Sequence, residues 1–381
     1  MENIQEKWND LKSWIESFGG FLHPNIELRQ TPVGRSVFST GQIDGKVFNL
    51  TKTLCLNAEN SGVTIDSEVF NFKESVVIAL LTEYYKPNSF WTPYLNLLPH
   101  LREFSTHPIF LRHIGKFPNV SPTISQVVEI CYQEFQKFEE NLQKYISQTA
   151  LFENCQTSDI LWAYLCVITR MWSSLGLVPF ADLLQHSNES EMAINAQDDQ
   201  LFMTGSFIEG QELFDNYCLD DDQTLFTNFG FVESSNLSLL SVGFLFEERP
   251  KMIQVLIDSI LQTADIKKLI LTNRGINVQL MRYLRLNFLD SHDLKLVDLA
   301  DDNIGVDIIT LGNELKCLKK IKYSLSNLFP VEAIDLATSQ IVNYEQGTPE
   351  YMIFKFILRV DDLKTSLDAF IDEYWMNFLS N

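Results

Sequence analysis

The chain has 381 residues, 45% of them hydrophobic and 12% aromatic, which is enough to bury a core and make two domains and excludes a disordered segment. Its formal charge of -21, from 50 Asp and Glu against 29 Lys and Arg, argues against a nucleic-acid groove, which needs clustered cations, and suits either a basic partner or simple solubility. The polar, acidic start lacks the apolar run of a secretory signal, and the longest apolar stretch, Ile160 to Leu184, is broken by Arg170, Pro179 and Asp182, which argues against a membrane span.

The expected place is therefore inside the cell, in the cytoplasm, with the nucleus or nucleolus as a further location. Cys55, Cys131, Cys155, Cys166, Cys218 and Cys317 form no Cys-x-x-Cys pair, which argues against a zinc site or any other metal and, in a reducing compartment, against disulfides.

Taken in chain order, Ile26 to about Leu56 carries short β-favouring pieces, Ser36 to Ser39 and Lys46 to Asn49, set apart by Gly34, Gly41 and Gly45, and reads as hairpins. From Asn71 to about Trp172 the period turns helical. Val76, Val77, Leu80 and Leu81 mark one helix, and Val128, Cys131, Phe135, Phe138, Leu142, Tyr145 and Ile146 mark another over Ser125 to Ser147. Strands are expected again at Glu191 to Asn195, Leu201 to Thr204 and Glu212 to Tyr217. Beyond Pro250 nearly everything reads as helix, including Met252 to Gln262, Glu314 to Leu328 and Tyr351 to Leu379. The simplest arrangement is an α+β chain: a small sheet domain interrupted by a helical insert, then an all-helical domain.

Two stretches carry chemistry. The run Leu177-Val178-Pro179-Phe180-Ala181-Asp182-Leu183-Leu184-Gln185-His186-Ser187-Asn188 passes from apolar to densely polar, as a strand leaving a core for a site would, since buried polar groups need defined partners. A histidine closing such a segment is, by itself, more often a satisfied structural one. The second stretch, Glu209-Gly210-Gln211-Glu212-Leu213-Phe214-Asp215-Asn216-Tyr217 followed by Asn228-Phe229-Gly230-Phe231-Val232, is a turn, an alternating strand and a terminal tyrosine. Taken alone it is equally a half-buried edge.

In this order and spacing the pieces resemble the SET methyltransferases related to the Rubisco large-subunit enzyme, the actin-histidine enzyme and the fungal ribosomal-protein lysine enzymes. Phe18-Gly19-Gly20 and Val33-Gly34-Arg35-Ser36-Val37-Phe38 resemble the family's opening glycine-rich hairpin. Ser89-Phe90-Trp91-Thr92-Pro93-Tyr94 with Leu98-Pro99 resembles the start of its helical insert, Trp162-Ala163 and Thr169-Arg170 the end, and Gln279 to Leu286 the substrate-domain helix. The resemblance implies a SET domain over 1–240, with the insert at about 67–172, and a helical substrate-binding domain over 241–381.

It also implies S-adenosylmethionine as cofactor, held by Val33, Gly34, Arg35, Arg170, Asp182, Leu183, Leu184, Gln185, His186, Phe229, Gly230 and Phe231, with Tyr217 as the catalytic tyrosine. Arg170 supplies a donor for the cofactor carboxylate and Phe229 an apolar face for its adenine. Four departures from the family pattern stand out: Gln185 in place of Asn, Cys218 in place of Gly, Asp221 and Asp222 in place of Ser-Asn, and Phe229 in place of Tyr. Ala181 stands where the actin-histidine branch has Trp, which favours lysine as the target.

The implied activity is protein-lysine N-methylation of a basic non-histone protein, a ribosomal protein first and an elongation factor next, by a monomer that binds neither nucleic acid nor membrane. Methylation of a histidine, or a SET-fold binding module without transfer activity, are the competing readings. Asp220, Asp221 and Asp222 are expected to sit exposed near the channel mouth and draw in a basic segment.

Overall fold

The computed structural model describes residues 4–31, 34–118, 122–146, 150–172, 174–190, 194–217, 222–232, 239–241, 255, 257, 270–272 and 275–380. The chain divides into two compact units: Met1–Phe117, Val127–Tyr217 and Thr227–Gly230 form one, and Pro118–Gln126, Cys218–Phe226 and Phe231–Asn381 the other. Among the described residues no helix is long and apolar enough to cross a membrane.

The first unit opens with helix α1 (Ile4–Ser17), which buries Trp8, Leu11, Trp14 and Ile15 at helical spacing. Strands β1 (Phe21–Leu22), β2 (Ile26–Thr31), β3 (Gly34–Ser39) and β4 (Ile43–Thr51) follow, β2 and β3 pairing as a hairpin in the expected place. The insert then runs through α2 (Phe72–Tyr85), α3 (Thr92–Leu95), α4 (Pro108–His113), α5 (Pro122–Ile146, whose residues up to Gln126 are grouped with the second unit) and α6 (Thr157–Arg170). Helix α2 starts at a capping box in which the Asn71 side chain accepts from the Glu74 amide and the Glu74 carboxylate accepts from the Asn71 amide. Its run Val76 to Leu81 is buried all round, so α2 is an interior helix, with α6 packed beside it.

The remaining strands of this unit are β5 (Met171–Trp172), β6 (Gly176–Leu177), β7 (Gln185–His186), β8 (Asn195–Gln197), β9 (Gln200–Phe207) and β10 (Phe214–Asp215). A four-stranded sheet has the order β1-β4-β9-β8, all antiparallel, with a register shift between Lys46 and Phe48. The strand expected at Glu191 to Asn195 is instead Asn195–Gln197, with 191–193 outside the described residues.

The apolar run after Leu177 does not continue as a strand. It turns through a 3-10 segment at Ala181–Leu183, entered by Phe180 at φ 77°. Positive φ at a bulky residue costs on the order of 1–3 kcal/mol. The Phe180 ring is fully buried against Phe48, with centroids 5.1 Å apart, and Trp8, at 6.1 Å, and that packing holds the turn.

The second unit contains strands β11 (Leu239–Ser241), β12 (Ile270–Thr272) and β13 (Gly275–Ile276) and helices α7 (Val278–Asn287), α8 (Leu311–Leu328), α9 (Val331–Gln340) and α10 (Pro349–Ser380). The antiparallel sheet β11-β12-β13 is absent from the sequence reading, because strands of two or three residues are too short to show an alternating pattern. Of the helix expected at Met252 to Gln262, all but residues 255 and 257 lies outside the described residues. Leu280, Leu284, Leu318, Ile321, Leu363 and Leu367 build this unit's core.

Asp222, expected at an exposed channel mouth, is instead 1% exposed and accepts from Arg359 Nε at 2.9 Å; Asp220 and Asp221 lie outside the described residues. A second buried pair joins α7 to α8. Arg285 Nε and Nη2 donate to Glu314 Oε2 and Oε1 at 2.6 and 2.8 Å, and its Nη1 donates to the carbonyls of Gly305 and Val306. Removing one member leaves the other charged and buried, which costs about 3–5 kcal/mol, whereas replacing both with apolar groups is close to neutral. Arg285→Met is therefore expected to destabilise the protein by about that amount in denaturant titration, and Arg285→Met with Glu314→Leu to recover most of the loss.

Candidate functional site

The site begins with the parallel pair β7 and β10, in which Phe214 stands opposite Gln185 and Asp215 opposite His186. The Ser187 amide donates to the Asp215 carbonyl at 2.9 Å and closes the pair. This brings the residues after β10 alongside His186. The Tyr217 amide donates to His186 Nδ1 at 3.2 Å, with ring centroids 5.1 Å apart. A ring nitrogen that accepts carries no proton, so the hydrogen sits on Nε2, which faces Asn188 Oδ1 at 3.0 Å.

The Tyr217 hydroxyl donates to the Leu184 carbonyl at 2.7 Å. Burial pushes its pKa far above the ordinary tyrosine value, against the pull of Arg170, so the phenol keeps its proton. With that proton committed to Leu184, the oxygen presents acceptor lone pairs to whatever enters beside it.

Beneath this lies a charged knot. Asp182, 6% exposed, accepts from the Tyr94 hydroxyl through Oδ2 at 2.6 Å. Arg170, at the end of α6, donates through Nη1 to the Asp182 carbonyl and lies 3.7 Å from Oδ2. Burial alone would lower the Arg170 pKa, but Asp182, Cys166, Tyr94 and Tyr217 together outweigh it, so the guanidinium stays charged; burial also raises Asp182 despite Arg170.

Gln185 reaches across to β3, where its Nε2 donates to the Arg35 carbonyl at 2.6 Å. The Arg35 guanidinium is engaged by the insert, at the Leu97 carbonyl and at Glu103 Oε2 3.1 Å away, so Arg35 offers the site its backbone. Gly34, at φ 131°, has open space where a side chain would stand. Leu183 and Leu184 are buried, and the Leu184 carbonyl takes the Tyr217 proton.

The wall opposite comes from Asn228 to Gly230, at the end of a π-helical turn at Leu225–Phe229. The Phe229 ring lies 5.0 Å from that of Tyr217 at 35°. Gly230 has φ 80°, and a Cβ there would stand 3.2 Å from His107 Cα and Cδ2. The structure thus brings together Arg35, Arg170, Asp182, Leu184, Gln185, His186, Tyr217 and Phe229 through direct contacts, with Gly34, Leu183 and Gly230 beside them in the chain. Val33 lies outside the described residues, and Phe231 is grouped with the second unit.

Three contributors went unmarked in the sequence. Tyr94 stood in a quoted motif without a role, and His107 is the histidine under Gly230. The third is Asp215, wholly buried, with neither carboxylate oxygen in an ordinary hydrogen bond. Ser36 Oγ, Arg170 Nε and Asp182 Oδ1 are likewise buried without partners, so the site holds an excess of unmet donors and acceptors. Among the described residues no group of three His, Cys, Asp or Glu side chains could hold a metal ion.

Burial pushes Asp215 up to about 6, the Asn216 amide and His186 only partly opposing it. Between about pH 4 and 6 the folded chain therefore holds a proton the unfolded chain has released, and stability falls as pH rises through that window. Asp215→Asn is expected to raise stability at pH 7.5 by on the order of 2 kcal/mol and to change it little at pH 4, as read from thermal melts at the two pH values.

No family model matches the chain. Over 257 residues it is 26% identical to the actin-histidine N-methyltransferase of Callithrix jacchus, covering 61% of this chain and 42% of that protein. Over 296 residues it is 24% identical to the protein-lysine N-methyltransferase EFM1 of Saccharomyces cerevisiae, covering 61% and 51%. The chain thus spans about two fifths to one half of the length of these curated relatives.

Among solved structures, Rubisco LSMT bound to AdoMet superposes with a TM-score of 0.63 at 16% identity, over 97% of this chain and 92% of that one. The SET domain of LSMT bound to lysine and AdoHcy superposes with a TM-score of 0.60 at 16% identity, over 96% and 92%. Distant sequence similarity to two protein methyltransferases and near-complete structural coverage agree: this chain has the SET-domain fold of Rubisco LSMT.

Proposed function

We propose that the chain is an S-adenosylmethionine-dependent protein methyltransferase acting on a lysine of a non-histone protein. The observation that carries this is the Tyr217 hydroxyl, which donates to Leu184 and is flanked by His186 and Phe229. Such a phenol cannot act as a base, but its lone pairs can align a polarised methyl group and an incoming amine.

The unmet groups fit the cofactor. Arg170 Nε is a donor for its carboxylate, Asp182 Oδ1 an acceptor for its amino group, and Phe229 an apolar face for its adenine, with Gly34, the Arg35 backbone, Leu183 to His186 and Gly230 completing the pocket. The cofactor supplies an electrophilic methyl on a sulfonium. The chain holds and orients the two reactants and excludes water. A lysine amine, with a pKa of about 10.4, costs roughly 4–5 kcal/mol to deprotonate at pH 7, and the buried surroundings of Tyr217 favour its neutral form.

Lysine is proposed over histidine because Ala181 stands where the actin-histidine branch resembled above has Trp. A ribosomal protein is the proposed target, since a charge of -21 suits a basic partner. In this reading 1–240, with the insert at about 67–172, carries transfer, and 241–381 docks the target. A lysine side chain alone offers little to recognise, so a second surface is needed for specificity.

Tyr217→Phe is expected to lower kcat by about 100-fold or more while leaving cofactor affinity near wild type. Arg170→Lys keeps the charge but loses the fork, and should weaken S-adenosylmethionine binding about tenfold or more in calorimetry. Labelled methyl transfer into fractionated extract, with amino-acid analysis of the labelled band, tests the reading. Label in methyl-histidine would overturn the lysine assignment, and failure of the purified chain to bind the cofactor would overturn the enzyme.

A further inference from the structure

His107 lies outside every motif named above, yet it is 2% exposed and bonded through both ring nitrogens. It is the N-cap of α4, where Nδ1 accepts from the Ile109 amide at 3.2 Å, and its Nε2 stands 2.9 Å from the Asn228 carbonyl, 121 residues further along the chain. These partners fix the proton. An amide can only donate, so Nδ1 is bare, and a carbonyl can only accept, so Nε2 carries the hydrogen. Burial pushes the imidazole down to about 4, so it is neutral at physiological pH.

What this neutral donor holds is the turn carrying Phe229. Asn228 is anchored by its carbonyl, and Gly230 lies so close over the imidazole that a Cβ would meet His107 Cδ2 at 3.2 Å. Phe229, between these two fixed points, is the ring against Tyr217. We propose that His107 is a positioning residue of the methyl-transfer pocket, which sets the Phe229 face for the cofactor through the Asn228 carbonyl. The inference rests on the function proposed above and assigns that site a residue from the helical insert.

Two substitutions in the full chain divide the roles of the imidazole. His107→Asn places Oδ1 where Nδ1 stands and keeps the cap on α4, but is too short to reach Asn228. His107→Gln extends an amide donor to the Nε2 position and gives up the cap. The expected result is that His107→Asn melts near wild type and binds S-adenosylhomocysteine about tenfold more weakly, while His107→Gln melts lower and binds within about threefold of wild type.

A readout without ligand accompanies this. Carbon-labelled tyrosine should show the Tyr217 ring signal of His107→Asn shifted toward that of Phe229→Leu, and that of His107→Gln left in place. Equal affinities for the two variants, or weaker binding by His107→Gln, would make His107 a helix cap only and overturn the proposal. A wild-type chain that does not bind S-adenosylhomocysteine would overturn the cofactor reading, and this one with it.

Discussion

Asp182 is carried out of water, and a buried acidic group without partners costs several kcal/mol. Its two partners come from opposite ends of the helical insert, Tyr94 from α3 and Arg170 from the end of α6. Meeting this requirement fixes the insert against the turn at Ala181–Leu183, and the turn in its strained form is what presents the Leu184 carbonyl and β7 to the rest of the site. The strain at Phe180 and the burial of Asp182 are two demands on one short segment. The first is offset by packing on Phe48 and Trp8 and the second by hydrogen bonds.

From that fixed turn the polarity of the site follows. Tyr217 is held at three points: its amide by His186, its hydroxyl by Leu184 and its ring by Phe229. Burial, with Asp215 and Asp182 acting in the same direction, outweighs the pull of Arg170 on the phenol, so the group stays a neutral, directed dipole. Asp215 adds a buried acidic side chain beside this arrangement, its burial only partly opposed by the Asn216 amide and by His186. An arrangement of this kind spends stability on unmet polar groups, as sites built to receive a ligand do.

The elements legible in the sequence were those with length enough to show a period. The buried helix Phe72–Tyr85, the long Pro122–Ile146 helix and the β2–β3 hairpin all follow from spacing and composition. The parallel pair β7 and β10 did not, because two residues per strand carry no alternation, and its partners are set by tertiary contacts. The residues proposed for the site were reached through family resemblance and not from local pattern, since a His after an apolar run or a Tyr after a strand has an ordinary structural explanation. Asp215 was invisible because an acidic residue in a short strand reads as solvent-facing. The signal for His107 was present, a histidine before Pro108 at a helix start, but nothing in the sequence pointed from it to Asn228.

The parallel pairing of β7 with β10, and the return of Asn228 to Gly230 onto His107, also have a temporal meaning. Contacts between residues so far apart must close long loops before they gain any stabilisation, which slows folding relative to locally connected helices. On a ribosome adding about 5–20 residues per second, the insert helices have their sequence available well before Gly230 is synthesised. Tyr94 and Arg170 can thus be in place while Asp182 already has its donors, but the ring that faces Tyr217 arrives last. The order of synthesis matches the order of need: the buried acid gains its donors early, and the proposed pocket closes only when the Phe229 wall has left the exit tunnel.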